Sequence, residues 1–382
     1  MALETEYVQL VHRHGERTPL LYGPHDKTGW NLCHRTSQIS YVIPQRTPTA
    51  GERFKKLLSY FREKDAAPMR FNIDFHSGKP FNCAPGQLTD VGRANLFGLG
   101  TWFWERYAKE KQFISKTFKS EEFSLRSTNF QRTLESLQSL MQGMYRLYDG
   151  AIRVEVRDLL EDSLTSNRHC PRLKMLKNET KDTMKKTFAN QMKNISAYFS
   201  NTFSPHLGSL SPYAIYDLVA SSRAHGFAKF KHVPKSVLKD LESYSVNLFF
   251  NHLNTKEGLA LNTGCVMKEI SDKMVRKTEN PESREKVSVF SAHDTTIYPM
   301  LVAVGVHTKE WPKFGANIVF EMLRDARTEE RFVAMLYNGK ETPIPKCKGV
   351  VKEGKEYCRL EEFVEICEDA YMQNYSEACM EN

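Results

Sequence analysis

The sequence predicts an α/β fold: a central mixed, largely parallel sheet with helices on both faces, plus a smaller, mostly helical cap domain. Three observations carry that prediction. Short apolar runs end in charge and are followed by helical patterns three times over. Two late strand patterns precede a tight-turn dipeptide. One long polar segment of helical character interrupts the series.

Tyr7 to Val11 is the first apolar run, and it passes into Arg13 and His14. Residues 20–86 then form a loop-rich excursion with one amphipathic piece, where Phe54, Leu57, Leu58 and Phe61 fall at i, i+3, i+4 and i+7. A connection that long is usually functional. A helix begins near Thr89 and runs through Trp102 and Trp104 to about Tyr107. Phe123 to Leu125 runs into Arg126, after which Ser127 or Thr128 caps a helix whose Leu134, Leu137, Leu140, Met141, Met144 and Leu147 keep helical spacing. Residues 158–252 read as mostly helical and polar, with seven Lys/Arg against two Asp/Glu between 171 and 200.

Val287 to Phe290 leads into His293 and Asp294, and Thr295 to Val306 reads as a helix that tolerates Pro299 near its start. Ala316 to Leu323 and Phe332 to Tyr337 read as antiparallel strands, with Asn338-Gly339 as a turn. The expected division is a core of 1–157 and 253–382 and a substrate-specificity cap of 158–252.

Composition narrows the function classes. The 382 residues include 54 basic and 46 acidic side chains, a formal charge of +8 that suits an anionic ligand without identifying it. No stretch approaches the roughly 18 to 20 consecutive apolar residues of a membrane span. No zinc-finger, RNA-binding or long basic signature points to nucleic acid. The first six residues hold two acids and no apolar segment, so no secretory or transit presequence is expected. Four of the eight cysteines lie in the last 36 residues, as in a disulfide-stapled tail, and Asn178, Asn194 and Asn374 begin glycosylation sequons. These two features lean toward a secreted or lysosomal compartment, whereas the start of the chain implies either a cytosolic protein or a missing leader.

Hydrolysis of a phosphate monoester needs a nucleophile, cations around the equatorial oxygens and a proton for the leaving alkoxide. His14 is the candidate nucleophile. Arg13, Arg17, Arg126 and His293 are the candidate phosphate ligands, because guanidinium grips phosphoryl oxygens through paired hydrogen bonds. Asp294 is the candidate acid and base. Neighbouring guanidinium groups should keep His14 unprotonated at mildly acidic pH. Asp294 must carry a proton, and an unperturbed Asp titrates near about 3.9. An acid-leaning optimum with no metal or cofactor follows. Two other classes compete: a metal-dependent hydrolase using His12 and His14, against which Arg13 and Arg17 would repel a divalent cation, and an inactive phosphate-binding module.

The heptapeptide Arg13-His14-Gly15-Glu16-Arg17-Thr18-Pro19, the pair His293-Asp294 and the run from Arg126-Ser127-Thr128 to Arg132-Thr133 resemble the signatures of the histidine acid phosphatases, branch 2 of the histidine phosphatase superfamily. Gly86 to Gly92 and Trp311-Pro312 extend the likeness over nearly the whole chain. Within that family the chain is most similar to the lysophosphatidic acid phosphatases, on Arg126-Ser127-Thr128-Asn129, Leu134-Glu135-Ser136 and Trp311-Pro312. The resemblance implies a phosphohistidine intermediate and a small phosphate monoester as substrate. A lipid phosphate or, alternatively, an inositol polyphosphate would fit, and a mitochondrial or cytosolic location is also compatible.

Overall fold

The computed structural model describes residues 3–21, 30, 32–33, 83–165, 169–352 and 354–380. Residues Met1–Thr28 with Pro85–Asn382 form one compact unit and Gly29–Ala84 a second. In the second, Cys33 and Cys83 are disulfide-bonded; the amphipathic piece expected at Phe54 to Phe61 lies outside the described residues.

Among the described residues the first unit has nine strands: β1 (Glu4–Arg13), β2 (Phe123–Ser127), β3 (Glu155–Val156), β4 (Val287–Ala292), β5 (Asn317–Arg324), β6 (Arg331–Tyr337), β7 (Lys340–Thr342), β8 (Val350–Lys352) and β9 (Lys355–Arg359). Their order is β3-β2-β4-β1-β5-β6-β9-β8, with β7 also on β6. The pairs β3–β2, β2–β4 and β4–β1 are parallel, and those from β1–β5 onward are antiparallel. Of the mixed, largely parallel sheet expected, the mixed sheet with parallel strands is present, its three parallel pairs lying at the β3-β2-β4-β1 end and antiparallel pairs making up the rest. Asn338 and Gly339, both at positive φ, turn β6 into β7 as the Asn-Gly signal required.

Nine helices of eight residues or more pack around it among the described residues: α1 (Asp90–Trp104), α2 (Gln131–Met144), α3 (Pro171–Thr187), α4 (Ala189–Thr202), α5 (Pro212–Ala224), α6 (Lys235–Phe250), α7 (Lys256–Glu279), α8 (Asp294–Ala303) and α9 (Leu360–Asp369). Strand alternation sends Val8, Leu10, Val289 and Val319 to one face, against Leu96, Phe103, Leu137 and Leu140 of α1 and α2. Tyr7, Val11, Phe290 and Phe320 go to the other, against Met267 and Ile270 of α7, Ile297 of α8 and Phe363 of α9. Burial of the strands on both faces explains why these runs are mostly apolar rather than alternating. The helices from 171 to 250 hold a separate cluster, in which Phe199, Ile215, Leu218 and Leu241 meet.

Several boundaries differ from expectation. The helix expected near Thr89 is α1, which Thr89 caps by accepting from the Gly92 N–H, but it ends at Trp104 and widens into a π-helical turn over Glu105–Glu110. α2 starts later than predicted: its N-cap is Phe130, because Thr128 is drawn into hydrogen bonds with Thr133 and His293. It also ends at Met144, leaving Leu147 98% exposed rather than on the apolar stripe. The tail is stapled by Cys347–Cys358, whereas Cys379 pairs with Cys170, just ahead of α3. No helix among the described residues is long and apolar enough to cross a membrane.

Candidate active site

Three adjacent parallel strands, β2, β4 and β1, end side by side, and ligands in such sheets bind outside the carboxyl ends. In register, Arg13 faces Ala292. His14 then follows beyond the end of β1 and its N–H donates to the Ala292 carbonyl at 3.0 Å. Behind the histidine the chain has no room for a side chain: a Cβ on Gly15 would sit 2.5 Å from the Gly92 carbonyl oxygen of α1. The Gly15 N–H donates to Ser136 Oγ of α2 at 3.0 Å, so both helices grip the turn.

His14 is 2% exposed. Its Nδ1 lies 2.9 Å from the Gly15 carbonyl, which can only accept. That bond places the proton on Nδ1 and leaves the lone pair on Nε2. Burial, then the Arg13, Arg132 and Arg17 guanidinium groups and His293, hold its pKa well below the usual histidine value. A neutral imidazole is what a nucleophile needs.

His293 caps α8, its Nε2 is 3.0 Å from Thr128 Oγ1, and its ring lies 5.6 Å from that of His14. Burial and Arg132 push its pKa down to about 3. Asp294 opens α8 and accepts from three directions: Arg13 Nη2 at 2.7 Å and the Trp311 indole N–H at 2.9 Å on Oδ2, and the Thr295 N–H at 2.8 Å on Oδ1. Burial alone would raise its pKa, but Arg13, Trp311, His293 and Arg17 bring it below the ordinary carboxylate value. Arg13 and Arg17 stack on Phe314, with Cζ at 4.1 and 5.6 Å from the ring centre. Arg17 is further held by Asp217 of α5, through Nη2 at 2.7 Å and Nη1 at 3.4 Å.

The structure thus gathers Arg13, His14, Arg17, His293 and Asp294, and it places Arg126 elsewhere. Arg126 sits inside β2, in register with Phe290, so strand alternation turns it toward α7 rather than past the strand end. There it pairs with Asp162 and Glu269, and Nη2 donates to Ser163 Oγ at 3.1 Å. The third guanidinium at the site is Arg132, in the first turn of α2. It lies over Phe130 at 4.5 Å, and burial together with Arg17 and Arg13 lowers its pKa to about 10. Arg132 belongs to the motif that runs from Arg126 to Arg132-Thr133, and no role was expected of it. His12, of the competing metal reading, is fully buried with Nδ1 3.0 Å from the Arg13 carbonyl. Among the described residues no third His, Cys, Asp or Glu ligand atom converges on it and His14.

The Nε–H groups of Arg13, Arg17 and Arg132 are buried and have no hydrogen-bond partner among the described residues. A buried donor left unpaired costs about 1–3 kcal/mol, so an anion with several oxygens is the natural complement of this cradle.

Fold and site together define a phosphoryl-binding α/β protein. A model of the histidine phosphatase superfamily (branch 2) matches residues 4–338, and the chain belongs to that family. It is similar to the lysophosphatidic acid phosphatase type 6 of Mus musculus, at 24% identity covering 95% of this chain and 84% of that protein. The prostatic acid phosphatase of Mus musculus is 26% identical over 87% of this chain and 91% of its own. Among solved structures, the apo form of Hafnia alvei phytase shares the fold, with a TM-score of 0.64 at 14% identity over 100% of this chain and 99% of that one. The enzyme class is that of the acid phosphatases, phosphoric monoester hydrolases.

Proposed function

We propose that this chain hydrolyses phosphate monoesters in two in-line steps through a phosphohistidine on His14. Nε2 of His14 attacks phosphorus while Arg13, Arg17, Arg132 and His293 hold the equatorial oxygens and offset their charge. Asp294 protonates the departing alkoxide, and its carboxylate then takes a proton from the water that cleaves the phosphorus–nitrogen bond. Arg126 has no part in the clamp. The observation that carries the reading is the set of three buried, unpartnered guanidinium Nε–H donors around one neutral imidazole.

For the substrate, a lysophosphatidate-like lipid phosphate is the better-supported choice. Tyr213, Tyr216 and Phe249, all from the segment 158–252, lie with ring centres 5.8, 5.7 and 5.4 Å from that of Trp311, whose N–H holds the proton-donating Asp294. An aromatic cluster beside the leaving-group acid suits an apolar alcohol and supports reading that segment as a specificity cap. The inositol polyphosphate alternative draws on a likeness of fold alone.

Rapid-quench labelling with a radiolabelled aryl phosphate at acidic pH tests the mechanism. An acid-labile, base-stable phosphoenzyme should form in the wild type and be absent in His14→Ala, with kcat/KM falling by about 10^4-fold or more. A His14→Ala enzyme that keeps its activity sinks the proposal. A panel of lysophosphatidate, inositol hexakisphosphate, phosphotyrosine and aryl phosphate ranks the substrates.

A further inference from the structure

Asp217 has no counterpart in the minimum needed to transfer a phosphoryl group. It is a carboxylate 7% exposed on α5, set by the specificity segment against the phosphate-binding arginine. Both its oxygens engage Arg17, and Oδ2 also accepts the Leu20 N–H at 2.7 Å, so its position is fixed from two sides. Its charge is felt at Arg132 and at Tyr213 as well as at Arg17. It takes the Nη1/Nη2 edge of the Arg17 guanidinium and leaves the Nε edge, which has no partner among the described residues, to an incoming anion.

We propose that Asp217 is a specificity-determining residue that limits the charge of the substrate: the site admits one phosphoryl group on an uncharged leaving group and disfavours clustered phosphates. The proposal rests on the phosphatase reading of the same site. A fixed carboxylate beside the cradle does little against the reacting phosphoryl group, whose charge is met by Arg13, Arg17 and Arg132. With Arg13, Arg17 and Arg132, the cations of the cradle among the described residues, taken up by the first phosphoryl group, a second phosphate on the same ring or chain would feel the Asp217 carboxylate uncompensated. Between like charges about 7 Å apart in a partly wet site, repulsion amounts to roughly an order of magnitude in affinity. Discrimination of this kind works by rejecting the wrong ligand, not by gripping the right one.

The test compares wild type, Asp217→Asn and Asp217→Glu on an aryl monophosphate and on inositol hexakisphosphate at one pH and ionic strength. In Asp217→Asn the ratio of kcat/KM for the hexakisphosphate to that for the monophosphate should rise by about fivefold or more. Asp217→Glu, which keeps the charge, should retain the wild-type ratio. A smaller rise, or an equal fall on both substrates, overturns the proposal by making Asp217 a mere support for Arg17. Should Asp217→Asn fail to fold, competition in the wild type decides. Inositol hexakisphosphate should inhibit aryl phosphate hydrolysis no more tightly than inorganic phosphate, and tenfold tighter inhibition overturns the proposal. A wild type that cleaves no monoester ends both readings. One that cleaves the aryl phosphate with an unresponsive ratio ends only this one.

Discussion

Two buried charge clusters flank the end of β2, one around Arg126 and one around His14, and they are balanced in opposite ways. Arg126 has two carboxylates, Asp162 and Glu269, and shares only Glu269 with Arg157. Around His14, among the described residues, the guanidinium groups of Arg13, Arg17 and Arg132 and two imidazoles face the paired carboxylates of Asp217 and Asp294. A cation matched by acids in a closed setting holds structure together, whereas cations in excess of their acids are poised for a ligand. Each cluster has an unpartnered guanidinium Nε among the described residues, so a spare donor alone does not mark a functional site. The charge balance does.

Removing Arg126 should break the comparison most visibly on its structural side. Arg126→Ala strands Asp162, which is fully buried, without its cation. Loss of one partner from a buried pair costs about 3–5 kcal/mol. Urea unfolding should show that loss, and the enzyme that remains folded should still form the phosphohistidine. A stable Arg126→Ala protein with abolished phosphorylation would return Arg126 to the catalytic clamp.

Arg132 should behave in the reverse way. Burial and its two arginine neighbours already weigh against its charge, so Arg132→Met should leave the melting temperature unchanged or raise it. Activity should fall by about 10^2–10^3-fold, the scale for losing one preorganised donor to a transition-state oxyanion. Thermal melts and kcat/KM measured on the same preparation check both halves. A large drop in stability with little kinetic change would erase the distinction between the clusters.

These two arginines also show where legibility in the sequence stops. The strand ends were readable because short apolar runs stop at charge, and that placed Arg13, His14, His293 and Asp294 together. Arg126 occupied the same apparent position, yet the real β2 runs on to Ser127, so Arg126 lies within the strand and not after it. Arg132 was hidden by the cap: reading Ser127 or Thr128 as the helix start moves it deeper into α2 than the first-turn place it holds, to where an arginine looks like a surface charge. The later start follows from a contact that no local pattern shows: Thr128 is bound to Thr133 and to the distant His293 rather than capping the helix. Asp217 had no local signal at all, since it meets Arg17 across 200 positions of chain.

Trp311 permits the finest test, because it touches the reacting acid from outside both clusters. In the resting site Arg13 and the Trp311 N–H both favour the ionised form of Asp294, at 2.7 and 2.9 Å. A bound dianionic phosphate draws Arg13 toward itself and adds negative charge beside the carboxyl, and both changes raise the Asp294 pKa toward the value an acid catalyst needs. Trp311 continues to oppose that rise. Replacing it with Phe removes a donor to the charged form, so the pKa of Asp294 in the complex goes up and the alkaline limb of the kcat profile should move to higher pH by about one unit. Below the optimum the rate should fall less than about tenfold, because only the orientation of the carboxyl suffers. An alkaline limb that stays in place, or moves toward acid, would mean that a group other than Asp294 supplies the leaving-group proton.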